Sequence, residues 1–326
     1  MHKLIRALGE SLLLVFLLVP VLEAQAFRVA VSGLTAGDAC IILPIAFPRV
    51  VWLNPDVMRD DPVTIASGDG ERVLGLLDTL GISVVEVFPN QAPQPFFSGL
   101  PGQQGHAIAV APNGRVFVSY SSPAAPAFRG LAVISPTGTL EATYPLPAST
   151  LTHDEAEIAV MPDSCTVLFA QSGGIGRING CTGAPLPDFV ATGGTVHDIQ
   201  PLPAGDVLVA IDQNIELFNG AGGFVRTVAN LSSYSDFAPT DQPEEVAFFG
   251  GFVWIVGTRG LCAGATLLRI SLADGTELAR SPVALDLANG LVVGAATGDI
   301  PTLSPVLLIL LTLSLVIVGT FMMRFR

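Results

Sequence analysis

Basic residues are scarce in this chain, and lysine is almost missing. Among 326 residues there are 15 Lys or Arg against 28 Asp or Glu, which gives a formal net charge of −13. Lys3 is the only lysine, and residues 27–299 contain 11 arginines against 26 acidic residues. A surface with this charge repels nucleic acid and anionic lipid headgroups, so the composition excludes nucleic acid as a partner. The same charge is compatible with binding divalent cations.

The sequence also lacks the short motifs that mark common catalytic and metal sites. It has no G-x-S-x-G, H-E-x-x-H, P-loop or EF-hand pattern, and it has no C-x-x-C pair of a zinc ribbon or thioredoxin. Trp52 and Trp254 are the only tryptophans, too few for an aromatic carbohydrate platform. No stretch between 27 and 299 shows helical periodicity. The sequence therefore assigns no catalytic residue and predicts little helix in this part of the chain.

Long apolar runs are confined to the two ends. The first follows Lys3 and Arg6, covers Leu12 to Leu22 and ends in Ala24-Gln25-Ala26. A basic start, an apolar middle and an Ala-x-Ala end predict a secretory signal peptide, residues 1–26. An uncleaved anchor is the alternative, and in either case the following part of the chain is exported.

The second apolar run, Val306 to Met323, is 18 residues long and carries no charge. At about 1.5 Å of rise per residue it is just long enough to cross a hydrocarbon layer of roughly 30 Å as one helix. Arg324 and Arg326 follow, and the positive-inside tendency places them in the cytoplasm. The sequence therefore predicts a C-terminal transmembrane helix that anchors an exterior domain; a buried core helix is the alternative.

The residues that precede this helix resemble a known sorting signal. Ile300-Pro301-Thr302-Leu303-Ser304, with the apolar span and the arginine-ended stub, resembles the IPTL-CTERM signal, a relative of the PEP-CTERM signals of Gram-negative surface proteins. The resemblance covers residues 300–326 and implies recognition by an exosortase-type membrane transpeptidase. It implies an exterior domain held at the inner membrane in the periplasm or, after processing, at the cell surface.

The part between the two ends, residues 27–299, contains a repeated unit. Each copy has an apolar strand, a turn rich in Pro, Gly, Asn or Asp, and a second apolar strand, at intervals of roughly 40 to 50 residues. A third and a fourth strand follow, and a weaker copy begins at Pro62. The clearest copies are His106–Ser119, Glu157–Phe169, Asp198–Ala210 and Glu245–Ile255.

This period predicts an all-β fold, a β-propeller of about six four-stranded blades. Pairing of the last strand candidate, Gly290 to Ala295, with the first segments of the domain would close the ring and leave no exposed strand edge. Five or seven blades are alternatives. A β-sandwich is a further alternative, but it does not explain the fixed period.

Four cysteines, an even number, lie in the part predicted to be exported, which predicts disulfides. Cys165 and Cys181 flank one predicted hairpin, and opposed residues of antiparallel strands are close enough to bridge with slight adjustment. We expect a Cys165–Cys181 disulfide. By elimination, Cys40 would pair with Cys262.

The blade with these cysteines and the blade after it resemble the propellers of the NHL, streptogramin-lyase-like and lactonase-like group. The likeness rests on the stretches Cys165 to Cys181, Leu186-Pro-Asp-Phe189 and Asp206 to Ala210. The two blades resemble in particular the propeller domains of bacterial surface proteins with sorting tails. The motifs are generic, so the resemblance implies a fold and a compartment rather than an activity.

Polar residues stand directly before several of the predicted innermost strands. In a propeller these positions would converge at one mouth of the central channel, where carboxylates suit Ca²⁺ and added histidines suit a transition metal. A solvated polar rim is the simpler interpretation. The candidate metal residues are His106, Glu157, His197, Asp198 and Glu245.

Three functions follow from these observations. The leading hypothesis is a non-catalytic, exported propeller that binds a surface ligand or contacts the envelope. The second is a metal-dependent lactonase-like or lyase-like enzyme with its site at the propeller mouth. The third is a structural matrix protein, and only the second requires a cofactor, a divalent cation such as Ca²⁺.

Overall fold

The fold is given by a computed structural model, which describes residues 27–35, 48–53, 56–60, 62–66, 73–77, 81–88, 91–122, 125–147, 157–234, 237, 242–258, 265–283 and 285–295. The predicted signal peptide, sorting motif and transmembrane helix lie outside these residues, as do Cys40 and Cys262. Among the residues described, no helix is both long enough and apolar enough to span a membrane. The interpretations of the two ends therefore stay predictions.

The described residues form 24 β-strands and a 3₁₀ turn at Leu231–Ser233. In chain order the strands are β1 (Phe27–Thr35), β2 (Pro48–Leu53), β3 (Asp56–Asp60), β4 (Pro62–Ala66), β5 (Val73–Leu77), β6 (Ile82–Phe88), β7 (Gln91–Gly99), β8 (Gln104–Val110), β9 (Val116–Ser122), β10 (Ala125–Ile134), β11 (Leu140–Leu146), β12 (Ile158–Val160), β13 (Thr166–Gln171), β14 (Gly174–Asn179), β15 (Pro185–Ala191), β16 (Val196–Pro201), β17 (Val207–Ile211), β18 (Asn214–Phe218), β19 (Phe224–Asn230), β20 (Gln242–Phe249), β21 (Phe252–Thr258), β22 (Ala265–Ser271), β23 (Glu277–Val283) and β24 (Leu285–Ala295).

Five sheets each consist of four consecutive strands. We call them blade I (β4–β7), blade II (β8–β11), blade III (β12–β15), blade IV (β16–β19) and blade V (β20–β23). Their first strands contact one another in succession, β4 with β8, β8 with β12, β12 with β16, and β16 with β20. These are therefore the innermost strands around a common axis. A further sheet, the composite sheet, has the order β24-β1-β2-β3, and β2 contacts β4 of blade I.

The predicted fold class, an all-β propeller with four-stranded blades, is confirmed. The sequence predicts about six blades, with five or seven as alternatives; the structure has five blades of four consecutive strands, and the other described strands form the composite sheet. The inner strands begin within a few residues of the predicted repeat starts. The five inner strands begin at Pro62, Gln104, Ile158, Val196 and Gln242.

The hydrophobic core lies between neighbouring blades. Strand β17 is buried along its whole length, because its alternate residues face two different neighbours. Leu208 packs in the cluster with blade V, whereas Val207 and Val209 pack in the cluster with blade III. The outer strand β19 keeps exposed residues, among them Phe224 at 58% exposure. Near-continuous apolar runs in the second strand of each repeat thus reflect burial on both faces.

Glycines with positive φ close the outer rim between several blades. Gly222 has a φ of 87°, and a Cβ atom there would collide with the carbonyl oxygen of Phe189 in blade III. Gly138 and Gly275 make the same type of approach to the preceding blade, at the carbonyl oxygens of Phe96 and Val228. Only glycine combines this backbone conformation with so close a main-chain approach. These turns therefore fix how near the outer strands of adjacent blades can lie.

The predicted Cys165–Cys181 disulfide is confirmed. Its Cα atoms are 5.2 Å apart, and it joins the residue before β13 to the second residue after β14. The N–H of Gly180 also donates to the carbonyl oxygen of Cys165 at 2.7 Å. The bond therefore ties the two turns at one end of blade III. The predicted Cys40–Cys262 pair lies outside the described residues.

Candidate functional site

The inner strands of four blades carry a bulge at a corresponding place. In β4, β8, β16 and β20 the antiparallel register with the second strand skips one residue. A bulge leaves one residue unpaired and redirects the side chains beside it. The skipped residues are Val63, His106, His197 and Glu244.

The residue after each bulge lies at one common level of the inner ring. Asp198 pairs with Ala210 and Glu245 pairs with Val256. In blade III, which has a shorter inner strand, the N–H of Ala170 donates to the carbonyl oxygen of Glu157 at 2.9 Å, which places Glu157 at the same level. The residues at this level are Thr64, Ala107, Glu157, Asp198 and Glu245.

Three successive blades, III to V, therefore present a carboxyl group at this level. We call Glu157, Asp198 and Glu245 the carboxyl triad. The three groups interact electrostatically: the charge of Asp198 raises the pKa of both Glu157 and Glu245, and Glu157 also raises the pKa of Glu245. The bulge periodicity thus brings together three acids that are 41 to 47 residues apart in neighbouring repeats.

Asp198 has a structural role in addition to its charge. Its Oδ1 accepts a hydrogen bond from the N–H of Ile199, and its Oδ2 accepts one from the N–H of Val246, both at 2.6 Å. The second bond crosses from blade IV to blade V. Burial raises the pKa of Asp198 to about 7, although the two N–H donors act in the opposite direction. Asp198 therefore joins two inner strands and titrates near neutral pH.

Burial is also the main cause of the raised pKa of the other two acids. It raises the pKa of Glu157 and Glu245 well above the usual range, and the neighbouring charges add to the effect. The N–H of Ile158 partly offsets it at Glu157, whereas the charge of Glu244 increases it at Glu245. These two carboxyl groups therefore ionise less readily than exposed glutamates do.

The structure places the two candidate histidines at the bulges rather than in the carboxyl triad. The Nε2 atom of His106 lies 2.7 Å from the Oγ of Ser121 on β9, within its own blade. His197 is the skipped residue directly before Asp198 and is half-buried. Within the described ranges, no group of three or more His, Cys, Asp or Glu side chains has the geometry to hold a metal ion.

Sequence reasoning did not single out Arg129, which is buried at the same end of the molecule. Its Nη1 donates to the carbonyl oxygen of Ala170 at 3.1 Å, so it links blade II to the residue that pairs with Glu157. Burial lowers the pKa of Arg129. The signal in the sequence is an arginine in the apolar alternation Arg129, Leu131, Val133, where a core residue is expected.

Comparison with known proteins identifies the fold. No family model matches the sequence, and no curated protein matches it significantly. A solved structure of a protein of unknown function from Bacteroides caccae has a TM-score of 0.61 at 12% identity, over 82% of this chain and 98% of that one. TolB from Acinetobacter baumannii has a TM-score of 0.56 at 12% identity, over 81% and 66%.

A weaker likeness joins the chain to a gluconolactonase from Xanthomonas campestris. Its TM-score is 0.49 at 12% identity, and it covers 69% of this chain and 82% of that one. At such identities a structural likeness shows the fold and not the activity. The chain is thus similar to bacterial β-propellers in architecture.

Proposed function

We propose that this chain is an exported β-propeller that binds a cationic group at the carboxyl triad and does not catalyse a reaction. The observation that carries the proposal is the placement of Glu157, Asp198 and Glu245 at one level of three adjacent inner strands. The ligand class is a divalent cation such as Ca²⁺ or the ammonium or guanidinium group of a partner, since three neighbouring acids favour positive charge.

Binding of such a ligand would be coupled to proton release. Glu157 and Glu245 have raised pKa values because of burial and of the charge of Asp198. A cation that binds to these groups favours their ionised form and therefore promotes the release of any protons they hold. The affinity of the site for cations should therefore increase as the pH rises from mildly acidic to mildly alkaline.

A binding role fits the carboxyl triad better than a catalytic one. Both oxygens of Asp198 accept backbone N–H groups, so this carboxylate is already used in joining blade IV to blade V. A general base needs a free, correctly placed lone pair near its substrate. Asp198 has fewer free lone pairs than a carboxylate without hydrogen bonds would have.

The location proposed for this binding protein rests on the two ends of the sequence. The leader 1–26 would direct export, and Val306 to Met323 would hold the propeller at the inner membrane, facing the periplasm. The motif Ile300–Ser304 would allow processing by an exosortase-type enzyme and transfer to the cell surface. We also propose that the composite sheet acts as a sixth blade, because β24 lies beside β1 in the same sheet.

A metal-dependent lactonase-like or lyase-like enzyme is the second candidate. It would use His106, Glu157, His197, Asp198 and Glu245, and the observation that favours it is the common level of the three acids. A structural matrix protein, the third hypothesis, would need no ligand at the triad. Metal-dependent hydrolysis of a lactone would support the enzyme, and its absence with retained cation binding would support the binding protein.

The test is the melting temperature of the full chain with and without Ca²⁺ or spermidine, at pH 5.5 and pH 8. We expect either cation to raise Tm by at least about 2 °C at pH 8 and by less at pH 5.5. Glu157→Gln and Glu245→Gln should remove this increase, whereas Asp188→Asn, at an exposed acid on β15, should keep it. Equal Tm values in all conditions would contradict the proposal.

A further inference from the structure

A cleft of about 330 Å³ lies between blades III and IV, at the end where the inner strands finish. The carboxyl triad lies where the same strands begin, so the cleft is a separate feature. Blade III contributes Met161, Leu168, Arg177 and Phe189 to its wall, and blade IV contributes the turn at Pro203 to Gly205. Pockets of roughly this volume, mainly apolar with a few polar groups, are typical of small-molecule sites.

An arginine in the wall of the cleft holds a position that is aliphatic in the two neighbouring blades. Strand registers pair Arg177 with Leu168, as they pair Val133 with Phe117 in blade II and Leu217 with Leu208 in blade IV. Val133 packs in the core between blades II and III, and Leu217 packs in the core between blades IV and V. At the interface between blades III and IV a cation therefore stands where the neighbouring interfaces have an aliphatic side chain.

The glycines that follow the third strands of blades III and IV provide independent evidence for the cleft. Gly180 of blade III lies against blade II, since a Cβ atom there would come within 2.6 Å of the Phe117 ring. Gly220 has the corresponding position in blade IV, but a Cβ atom there would meet only Gly205 of its own blade within 4 Å. Blade III therefore does not fill the space in front of Gly220, and the cleft remains open.

Arg177 is held in place by neutral groups. Its Nε donates to the carbonyl oxygen of Pro187 at 2.6 Å, its Nη2 donates to that of Asp188 at 3.4 Å, and its guanidinium carbon lies 5.8 Å from the centre of the Phe189 ring. No carboxylate among the described residues forms an ion pair with it. The guanidinium is thus oriented while its charge stays available to a ligand.

The other charged side chain in the wall is already used within its own turn. Asp163 accepts hydrogen bonds from the N–H groups of Cys165 and Thr166 at 2.9 and 2.8 Å and from the hydroxyl of Thr166 at 2.6 Å. The Cys165–Cys181 disulfide holds the same turn. The charge in the cleft that can still attract a ligand is therefore the positive charge of Arg177, although the chain as a whole is acidic.

We propose that this cleft binds a small amphipathic carboxylic acid, with its carboxylate on Arg177 and its apolar part against Met161, Leu168 and Phe189. A planar guanidinium suits a carboxylate because it can donate parallel hydrogen bonds. The apolar lining of the cleft, in which Met161 is partly exposed, provides the hydrophobic contact. This inference does not depend on the function proposed for the carboxyl triad.

The test is isothermal titration of the full chain with 3-phenylpropionate and with its neutral amide, 3-phenylpropanamide. The acid should bind at least about tenfold more tightly, since a hydrogen bond to a charged group contributes that much. Arg177→Leu should abolish the preference, and Arg177→Lys should retain part of it. Ala204→Phe, which fills the cleft from an exposed turn position, should weaken binding of both probes.

Arg280→Gln is the matched control, because Arg280 pairs with Glu277 on the outer strand of blade V and should leave both affinities unchanged. Arg177→Leu is expected to fold, since the corresponding position of blade IV is Leu217; thermal melting checks this, and Arg177→Lys carries the test if it does not. Three results would overturn the proposal: no binding of either probe, equal affinities for acid and amide, or an acid preference that survives Arg177→Leu.

Discussion

At the scale of single residues, Asp198 combines two roles that oppose each other. Its two oxygens accept N–H groups from Ile199 and Val246, which favours the ionised form. Its burial disfavours ionisation, and the balance brings its pKa to about 7. The bond that joins blade IV to blade V therefore depends on a group that titrates in the physiological range.

The carboxyl triad should make the stability of the protein depend on pH. A carboxyl group whose pKa is raised on folding stabilises the folded state most when it is protonated, below its unfolded pKa, and that contribution is lost as the pH rises through the folded pKa. For Asp198 the window runs from 3.8 to about 7. We expect the free energy of unfolding, measured with urea, to fall by roughly 1–3 kcal/mol between pH 4.5 and pH 8 in the absence of cations.

Variants of the triad test the cause of this decrease. Glu245→Gln removes a buried acid without changing its shape and should flatten the curve between pH 4.5 and pH 8. Asp206→Asn, outside the triad, should leave the slope unchanged. A slope that is the same in Glu245→Gln and the wild type would show that the triad does not control stability.

Sequence reasoning reached the acids of the triad but not their burial. Glu157, Asp198 and Glu245 could be predicted as equivalent because each stands at the start of a repeat. Their shared level depends on the bulges, which are set by strand register and leave no mark in composition. Arg177 was visible in the pattern Gly174-Ile-Gly-Arg-Ile178, but only the pairing with Leu168 shows that it occupies a core position.

At the scale of strands and turns, the repeat is defined by hairpins of fixed pattern. Apolar strands around a Pro, Gly, Asn or Asp turn could be predicted because burial on both faces demands continuous apolar runs. The predicted cysteine pair is correct because Cys165 and Cys181 flank one hairpin, which brings them close together. The division into blades follows less directly from the sequence, because the composite sheet joins strands from distant parts of the chain.

The outer-rim glycines provide a prediction at this scale. Gly222→Ala should destabilise the protein by about 2 kcal/mol or more, because an alanine would adopt an unfavourable φ and collide with the carbonyl oxygen of Phe189. Gly173→Ala is the control: Gly173 has a φ of 81°, but no atom lies within 4 Å of its Cβ position. It should lose only about 1 kcal/mol through backbone strain. Equal losses in urea unfolding would show that the rim contact is unimportant.

At the scale of the whole molecule, the composite sheet connects the beginning and the end of the described residues. The order β24-β1-β2-β3 places the last described strand, β24, directly beside the first strand, β1, in one sheet. A circular arrangement of sheets closed in this way has no unpaired blade at its seam. If the composite sheet acts as the sixth blade, as proposed above, closure of the ring depends on β24, the last of the described strands.

Removal of β24 tests this dependence. A chain that ends after Val283 should unfold at a lower urea concentration and self-associate, because β1 would lose its neighbour and expose a strand edge. A chain that ends after Ala295 is the control and should stay monodisperse in size-exclusion chromatography. If both truncated chains behave alike, β24 does not close the propeller.

The glycine contacts at the outer rim also bear on how such a molecule can change over evolutionary time. The groups that meet there are main-chain carbonyl oxygens, of Phe96, Phe189 and Val228, and the opposing turn carries no side chain. A contact of this kind makes no demand on the side chains of the neighbour. Such a contact can therefore persist while the side chains of a neighbouring blade change, which leaves room for features found in some blades and not in others, such as the arginines at positions 177 and 269.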